Sequence, residues 1–169
     1  MIRAPRSDEL EKLRELERAA GSIFRELGMD AIADDEPPSS DTLAVFQAAG
    51  RAWVATDDAD EPVAYLLVEV IDASAHIEQV SVDPRAARQG LARALIEAAG
   101  AWARQHGLNA LTLTTFRDVP WNRPYYERLG FQILEDAHIT RGLRRLRVQE
   151  AAAGLDRWPR VVMRRCLER

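Results

Sequence analysis

The hydrophobic and polar positions of the first fifty residues follow a helical period. Residues 7–9 (Ser-Asp-Glu) are typical of a helix start, with a hydroxyl cap and two acids near the positive end of the helix dipole. The apolar side chains that follow recur at roughly helical spacing: Leu10, Leu13, Leu16, Ile23 and Leu27. Gly28 is the predicted stop. A second short helix is predicted from a cap at Asp41 to Gly50.

From residue 52 onward, strand patterns and helix patterns follow one another. Short runs of mostly apolar and β-branched residues predict strands at residues 52–56, 63–71, 76–82, 110–116, 131–134 and 160–167. Helical spacing predicts helices from 90 to 107, from 124 to 129 and from 142 to 153. Tight turns favour an antiparallel meander of the first three strands, whereas the strand–helix–strand unit from 76 to 116 implies one parallel pair. The expected fold class is α/β, a mixed, mostly antiparallel sheet flanked by helices.

Length and composition narrow the class of protein. The chain has 169 residues, of which 47% are hydrophobic and 30% charged, as expected for one globular domain over residues 1–169. Its single cysteine, Cys166, excludes an internal disulfide framework. No apolar run approaches the roughly 18 residues of a transmembrane span, and residues 1–9 show no apolar signal region. We therefore expect a cytoplasmic protein with no membrane partner.

Charge is distributed unevenly along the chain. Residues 1–70 carry 16 acidic and 7 basic side chains, a net charge of −9, whereas residues 71–169 carry 11 acidic and 16 basic side chains, a net charge of +5. The split suggests one cationic and one anionic partner, with chance clustering of surface charge as the alternative. The overall charge of −4 and the lack of a binding motif argue against nucleic acid as a partner.

The segment 80–93 joins a predicted strand to a helix that opens at Gly90. The first N–H groups of a helix lack intrahelical acceptors and, with the helix dipole, attract anions. Gly90 and Ala92 leave the backbone accessible to phosphate oxygens, and Arg88 and Arg93 add positive charge. This chemistry indicates a diphosphate. Neither a Walker P-loop nor a dinucleotide fingerprint is present, and the alternative is an amphipathic helix with exposed arginines.

A second motif lies downstream, at residues 122–131 (Asn-Arg-Pro-Tyr-Tyr-Glu-Arg-Leu-Gly-Phe). Together with the Gly90 segment it resembles the GNAT superfamily of acyl-coenzyme A-dependent N-acetyltransferases. In that family a strand, an Arg/Gln-x-x-Gly-x-Gly/Ala turn, a helix, a strand and a Tyr-Glu-x-x-Gly-Phe helix follow in this order. The resemblance covers about residues 50–135 and implies a GNAT-like sheet whose parallel pair is splayed at the cofactor site. This chain departs from the family pattern in having Ala87 at the first position of the turn.

The resemblance implies transfer of an acetyl group from acetyl-coenzyme A (acetyl-CoA) to a primary amine, with no metal. Val80 and Val82 would offer backbone groups to the pantetheine arm. The pyrophosphate would lie against Arg88, Gln89, Gly90, Leu91, Ala92 and Arg93. Asn122 would approach the cofactor arm, and Tyr126 would protonate the departing thiolate. Because no suitably placed Ser or Cys nucleophile is visible, we expect direct transfer in a ternary complex.

His76 and Glu78 are the candidate bases for removal of the amine proton, because a period of two places them on the strand face of Val80 and Val82. For each, the alternative is a structural strand residue.

The rival function is a non-catalytic acyl-CoA-binding sensor with the same fold. The acceptor amine, which the acidic half would receive, and the acyl-chain preference stay open. A homodimer is among the expected assemblies, and the oligomeric state stays open.

Overall fold

The computed structural model describes residues 1–168, in which seven strands form one mixed sheet in the order β1-β2-β3-β4-β5-β7-β6. The strands are β1 (Ile2–Arg3), β2 (Ala52–Thr56), β3 (Pro62–Ile71), β4 (Ser74–Val82), β5 (Ala110–Phe116), β6 (Gln132–Ile133) and β7 (Arg160–Cys166). The α-helices are α1 (Leu10–Gly21), α2 (Asp30–Ala33), α3 (Ser40–Ala48), α4 (Leu91–Gln105), α5 (Arg123–Arg128) and α6 (Arg141–Ala152).

The strand pairing confirms the expected mixed sheet. Strands β1 and β2, β2 and β3, β5 and β7, and β6 and β7 pair antiparallel. Strand β4 pairs with β5 in parallel through Ala75 with Leu111 and His76 with Thr112. The sequence pattern did not predict the short strand β1 or the place of β7 between β5 and β6. The splaying of the parallel pair stays a prediction.

The first of two compact units comprises Met1–Val68 and Glu78–Ala99. Its apolar cluster packs α1 and α3 against one face of β2 and β3: Leu10, Leu13, Leu16, Leu43, Phe46, Ala52, Val54, Tyr65 and Leu67. The prediction that Ile23 and Leu27 extend the buried stripe of α1 was wrong, since both are exposed. The chain tightens after Gly21 into a 3₁₀ helix, Ser22–Leu27, whose three residues per turn change the direction of its side chains.

Two helix caps in this unit also differ from the prediction. Before α1, a 3₁₀ turn (Ser7–Glu9) follows Arg6, and the Glu9 carboxylate accepts a hydrogen bond from the Arg6 N–H at 2.7 Å. Ser7 therefore does not cap the helix. At α3, the side-chain oxygen of Ser39, two residues before the expected Asp41, accepts from the Thr42 N–H at 3.1 Å.

The second unit comprises Glu69–Ile77 and the chain from Gly100 onward. Strand β5 pairs along its whole length with β7, from Ala110 with Cys166 to Phe116 with Arg160. Helix α6, which the sequence predicts within one residue at each end, buries Leu143. None of the helices in residues 1–168 combines the length and apolar character needed to cross a membrane. The assignment of residues 1–169 to one domain stays a prediction.

Candidate functional site

The turn between β4 and α4 is held in an open form by its own backbone. The Asp83 side chain accepts from the Arg85 N–H at 2.9 Å and caps a short 3₁₀ turn, Pro84–Ala86. Gly90 has φ +74°, a conformation that L side chains rarely adopt, and open space surrounds the position of a Cβ there. The Gly90 carbonyl accepts from the Ala94 N–H at 3.0 Å, so the amides of residues 91–93 lie in the first turn and lack intrahelical acceptors.

The side chains of this turn suit an anion. Arg88 and Arg93 are exposed and form no ion pair with any residue from 1 to 168, so their guanidinium groups are available to a ligand. Gln89 and Gly90 are exposed, and Leu91 and Ala92 are half-buried. Gln89 and Leu91 also line a cavity of about 310 Å³. The structure thus brings the six predicted phosphate-binding residues together at one helix start.

Along β4, the first four residues are buried, whereas the positions proposed for the site beyond them are exposed or half-buried. His76 is buried, Glu78 is exposed, and Val80 and Val82 are half-buried. The Asp83 N–H, directly after the strand, donates to the Val63 carbonyl at 2.8 Å. The predicted face of Glu78, Val80 and Val82 is therefore only partly covered at the end of β4, which leaves its side chains accessible.

His76 lies in a different environment from Glu78. Only 2% of its surface is exposed, and its Nδ1 lies 2.9 Å from the Thr112 hydroxyl on the paired strand β5. Burial lowers the pKa of His76 to about 4, against an opposing effect of the Glu150 carboxylate. The imidazole is therefore neutral and enclosed at neutral pH.

Tyr126 lies on the short helix α5 in the second unit, where it is buried. Its ring packs edge-on against Tyr125 and Phe131, with centroids 5.5 and 5.9 Å away. Burial raises the pKa of the Tyr126 hydroxyl well above its usual range, with a smaller effect of Tyr125 in the same direction. The hydroxyl therefore keeps its proton at neutral pH, as a proton donor must.

Asn122 is the N-cap residue of α5, and its carbonyl accepts from the Tyr126 N–H at 3.0 Å. Its side-chain oxygen Oδ1 is buried and has no hydrogen-bond partner among residues 1–168. An unpaired buried acceptor is costly. This oxygen fits an amide donor of a ligand such as a pantetheine arm.

One polar residue with an unusual environment escaped the sequence analysis. Glu17 on α1 is half-buried and accepts a hydrogen bond from the hydroxyl of Tyr65 on β3. A signal was present, because Glu17 lies seven residues after Leu10 and four after Leu13, within the apolar stripe of its helix. A carboxylate at such a position requires a partner.

A comparison with models of protein families identifies the family of this chain. The model of the acetyltransferase (GNAT) family matches residues 10–131. The chain belongs to the acetyltransferase (GNAT) family. The match includes α1, the Gly90 turn and Tyr126, and it confirms the resemblance that the two motifs indicated.

Solved structures of GNAT proteins share the fold over the whole chain. The ribosomal-protein-S18-alanine N-acetyltransferase of Escherichia coli is 19% identical with a TM-score of 0.68, covering 100% of this chain and 94% of that one. The PaiA N-acetyltransferase of Thermoplasma acidophilum, in complex with coenzyme A, is 15% identical with a TM-score of 0.70 and 98% coverage of both chains. A phosphinothricin acetyltransferase of Sinorhizobium meliloti, in complex with acetyl-CoA, is 16% identical with a TM-score of 0.69, covering 99% and 88%.

At these identities the likeness establishes the GNAT fold, and the family match establishes that the chain is a GNAT family acyltransferase. Within residues 1–168, no group of three or more His, Cys, Asp or Glu side chains is arranged to bind a metal ion. The roles of the individual site residues stay predictions.

Proposed function

We propose that this GNAT protein transfers an acetyl group from acetyl-CoA to a primary amine by direct transfer in a ternary complex. The observation that carries the proposal is the open helix start at Gly90, with free amides in its first turn and two unpaired arginines. Acetyl-CoA would supply the activated acetyl group and a thiolate leaving group. The solved relatives that contain coenzyme A or acetyl-CoA support this choice of co-substrate.

The phosphate contacts have a matched test on one helix. Arg93 lies in the first turn of α4 and Arg104 in its last turn. Replacing Arg93 with Ala removes a positive charge from the proposed site, and we expect acetyl-CoA to bind about tenfold more weakly. Arg104→Ala removes the same charge from the other end of the helix and should leave the Kd within about twofold. Equal losses in calorimetric titrations of the two variants would contradict the assignment.

Tyr126 is the proposed proton donor to the thiolate. Its buried, protonated hydroxyl supports this role. Tyr126→Phe should lower kcat by about 10²-fold, the usual size of a general-acid contribution, while the Kd for coenzyme A stays the same. Tyr125, the half-buried neighbour on the same helix, provides the control, and Tyr125→Phe should keep most of the activity. An unchanged kcat in Tyr126→Phe would exclude the role.

Of the two candidate bases on β4, Glu78 is better placed than His76. A base must reach the substrate, and Glu78 is exposed whereas His76 is enclosed beside Thr112. The low pKa of His76, about 4, further weakens it as a proton acceptor. We therefore propose His76 as a structural residue, which leaves Glu78 as the one of these two that a substrate could reach.

A thiol-release assay over an amine library tests the function as a whole. Turnover with any primary amine, together with intersecting initial-velocity lines, would support direct transfer. Parallel lines would indicate an acyl-enzyme, for which Cys166 at the end of β7 is the only cysteine nucleophile. If acetyl-CoA binds tightly but no amine is ever acetylated, the protein is a sensor. If acetyl-CoA does not bind, the proposal fails.

A further inference from the structure

Of the three carboxylates of α1, Glu11 and Glu15 are exposed and only Glu17 is half-buried. Within residues 1–168 it forms no ion pair, although two arginines flank it on the same helix. Arg14 pairs with Glu11 at 2.9 Å and Arg18 with Glu36 at 3.1 Å. Removing a carboxylate partly from water without a compensating cation is unfavourable. The position therefore favours a positively charged ligand.

A chain of hydrogen bonds links Glu17 to strand β4. The Tyr65 hydroxyl donates to Glu17, and the fully buried Tyr65 also has a side-chain hydrogen bond with Ser81 on β4. The Gln79 amide in turn donates to the Ser81 hydroxyl at 2.7 Å. Gln79 and Ser81 flank Val80, so the chain ends beside the strand segment assigned to the pantetheine arm.

The environment of Glu17 balances two effects on its charge. Burial raises the pKa of Glu17, and the hydrogen bond from Tyr65 opposes that rise. Burial holds the pKa of Tyr65 far above its usual range, and the negative charge of Glu17 acts in the same direction, so the phenol stays a donor. The other charged groups that act on Glu17 are Asp35, which raises its pKa, and Arg14 and Arg18, which lower it. Glu17 is therefore a proton acceptor of raised basicity, and it accepts one hydrogen bond, from the Tyr65 hydroxyl.

We propose that Glu17 binds the ammonium group of the acceptor and accepts the proton that the amine loses before acetyl transfer. This rests on the proposed function. The step balances: the ammonium N–H bond breaks, its proton forms an O–H bond on Glu17, and the free lone pair of the amine attacks the acetyl carbonyl carbon. The C–S bond then breaks and the thiolate takes a proton from its own donor. The second proton that the acylated nitrogen loses restores that donor, and the proton on Glu17 passes to solvent.

This places the acceptor on the face of β4 that carries Gln79 and Ser81. Successive residues of a strand point to opposite faces, so Glu78 points away from Tyr65 and Glu17. One amine nitrogen does not contact both carboxylates from opposite faces of a strand. Comparing variants of Glu17 and Glu78 therefore tells on which face the amine is deprotonated.

The experiment compares Glu17→Gln with Glu15→Gln. Glutamine keeps the shape of Glu17 and an acceptor for Tyr65 but removes the charge and the basicity. Glu15, exposed on the same helix, controls for the loss of one negative charge. With an amine that the wild type acetylates, Glu17→Gln should lose about 10²-fold in kcat/KM at pH 7, with an increased KM. Glu15→Gln should stay within about twofold.

The pH profile separates a catalytic role from a structural one. Wild-type kcat/KM should be level between the pKa of Glu17 and that of the amine. Glu17→Gln can use only the neutral amine, so its kcat/KM should rise tenfold per pH unit toward the amine pKa of about 10. A level profile in Glu17→Gln, or the sloped profile in Glu78→Gln instead, would overturn the proposal.

Tyr65→Phe provides a second route if Glu17→Gln does not fold. Loss of the Tyr65 hydroxyl raises the pKa of Glu17, so the acid limb of the kcat/KM profile should move to higher pH. An acid limb at the same pH as in the wild type contradicts the proposal. Failure of the wild type to acetylate any amine would instead refute the proposed function. Coenzyme A binding and the Tm of each variant report on folding.

Discussion

At the scale of single residues, the enclosed histidine of β4 makes the stability of the protein depend on pH. The folded protein keeps His76 neutral down to about pH 4, because burial lowers its pKa. The unfolded chain protonates a histidine near its ordinary pKa of about 6.5. Between these values the unfolded state binds a proton that the folded state does not. The contribution of His76 to stability is therefore intact above about pH 6.5 and is lost as the pH falls toward 4.

We expect His76→Gln to remove this dependence. At pH 5 the linkage amounts to about 2 kcal/mol of the free energy of unfolding. Urea denaturation of wild type and variant at pH 7 and pH 5 measures it, and the difference isolates His76 from the carboxylates that also titrate. His138→Gln, at an exposed position, should behave like the wild type. An equal acid loss in wild type and His76→Gln would refute the assignment.

The same strand explains what residue patterns could predict of the site. The alternation of β4 predicts that His76, Glu78, Val80 and Val82 share one face, because period two depends only on the local backbone. The burial of His76 depends on Thr112 of a distant strand and on tertiary packing, which no local pattern contains. Glu17 had a local signal in the apolar stripe of α1, but the partner that explains it there, Tyr65, lies far away in sequence.

At the scale of elements, the first turn of α6 is hydrogen-bonded to Asp72 in the turn between β3 and β4. The Asp72 carboxylate accepts hydrogen bonds from Thr140 and from the backbone of Gly142 and Leu143, which holds its pKa below the usual range. A Cβ on Gly142 would lie 2.6 Å from Asp72 Oδ2 and 2.7 Å from Ile71 Cγ2. Glycine is therefore required by close approach, and Asp72 serves as the cap of this helix.

Two glycine-to-alanine changes in helices of the second unit should shift stability in opposite directions. Gly142→Ala displaces Asp72 from the helix start and should destabilise by about 1–2 kcal/mol. Gly100→Ala in α4 meets only ordinary contacts, the nearest at 3.5 Å from an arginine nitrogen, and should stabilise by about 0.5–1 kcal/mol. Urea denaturation at pH 7 gives both values. Stabilisation by Gly142→Ala would contradict the close approach.

Sequence patterns predicted the elements where local signals are strong, and failed where the partner is remote. The positions of α4, β5 and α6 follow from periodicity within each element. Strand β1 has two residues, too few for any period, and exists because it pairs with β2. The 3₁₀ segment Ser22–Leu27 has the composition of a helix, but its tighter turn leaves Ile23 and Leu27 exposed.

At the scale of the whole chain, the uneven charge bears on both substrates. The residues proposed for the phosphates lie in the half with a net charge of +5, and Glu17 lies in the half with a net charge of −9. Coenzyme A is an anion and the proposed acceptor is a cation, so the sign of the net charge in each half of the sequence is opposite to that of the ligand proposed for its residues. The charge split and the proposed binding residues therefore agree.

Salt should then weaken the binding of both substrates when the acceptor is cationic. Raising KCl from about 20 to about 300 mM shortens the Debye length from roughly 20 Å to roughly 6 Å, and the KM values for acetyl-CoA and a cationic amine should each rise about three- to tenfold. An uncharged analogue of the acceptor, used as a competitive inhibitor, should keep its Ki within about twofold. Its constancy would show that salt acts through charge and not on the fold. A KM for the cationic amine that does not change with salt would separate the acidic half from acceptor binding and leave its charge as a property of the surface.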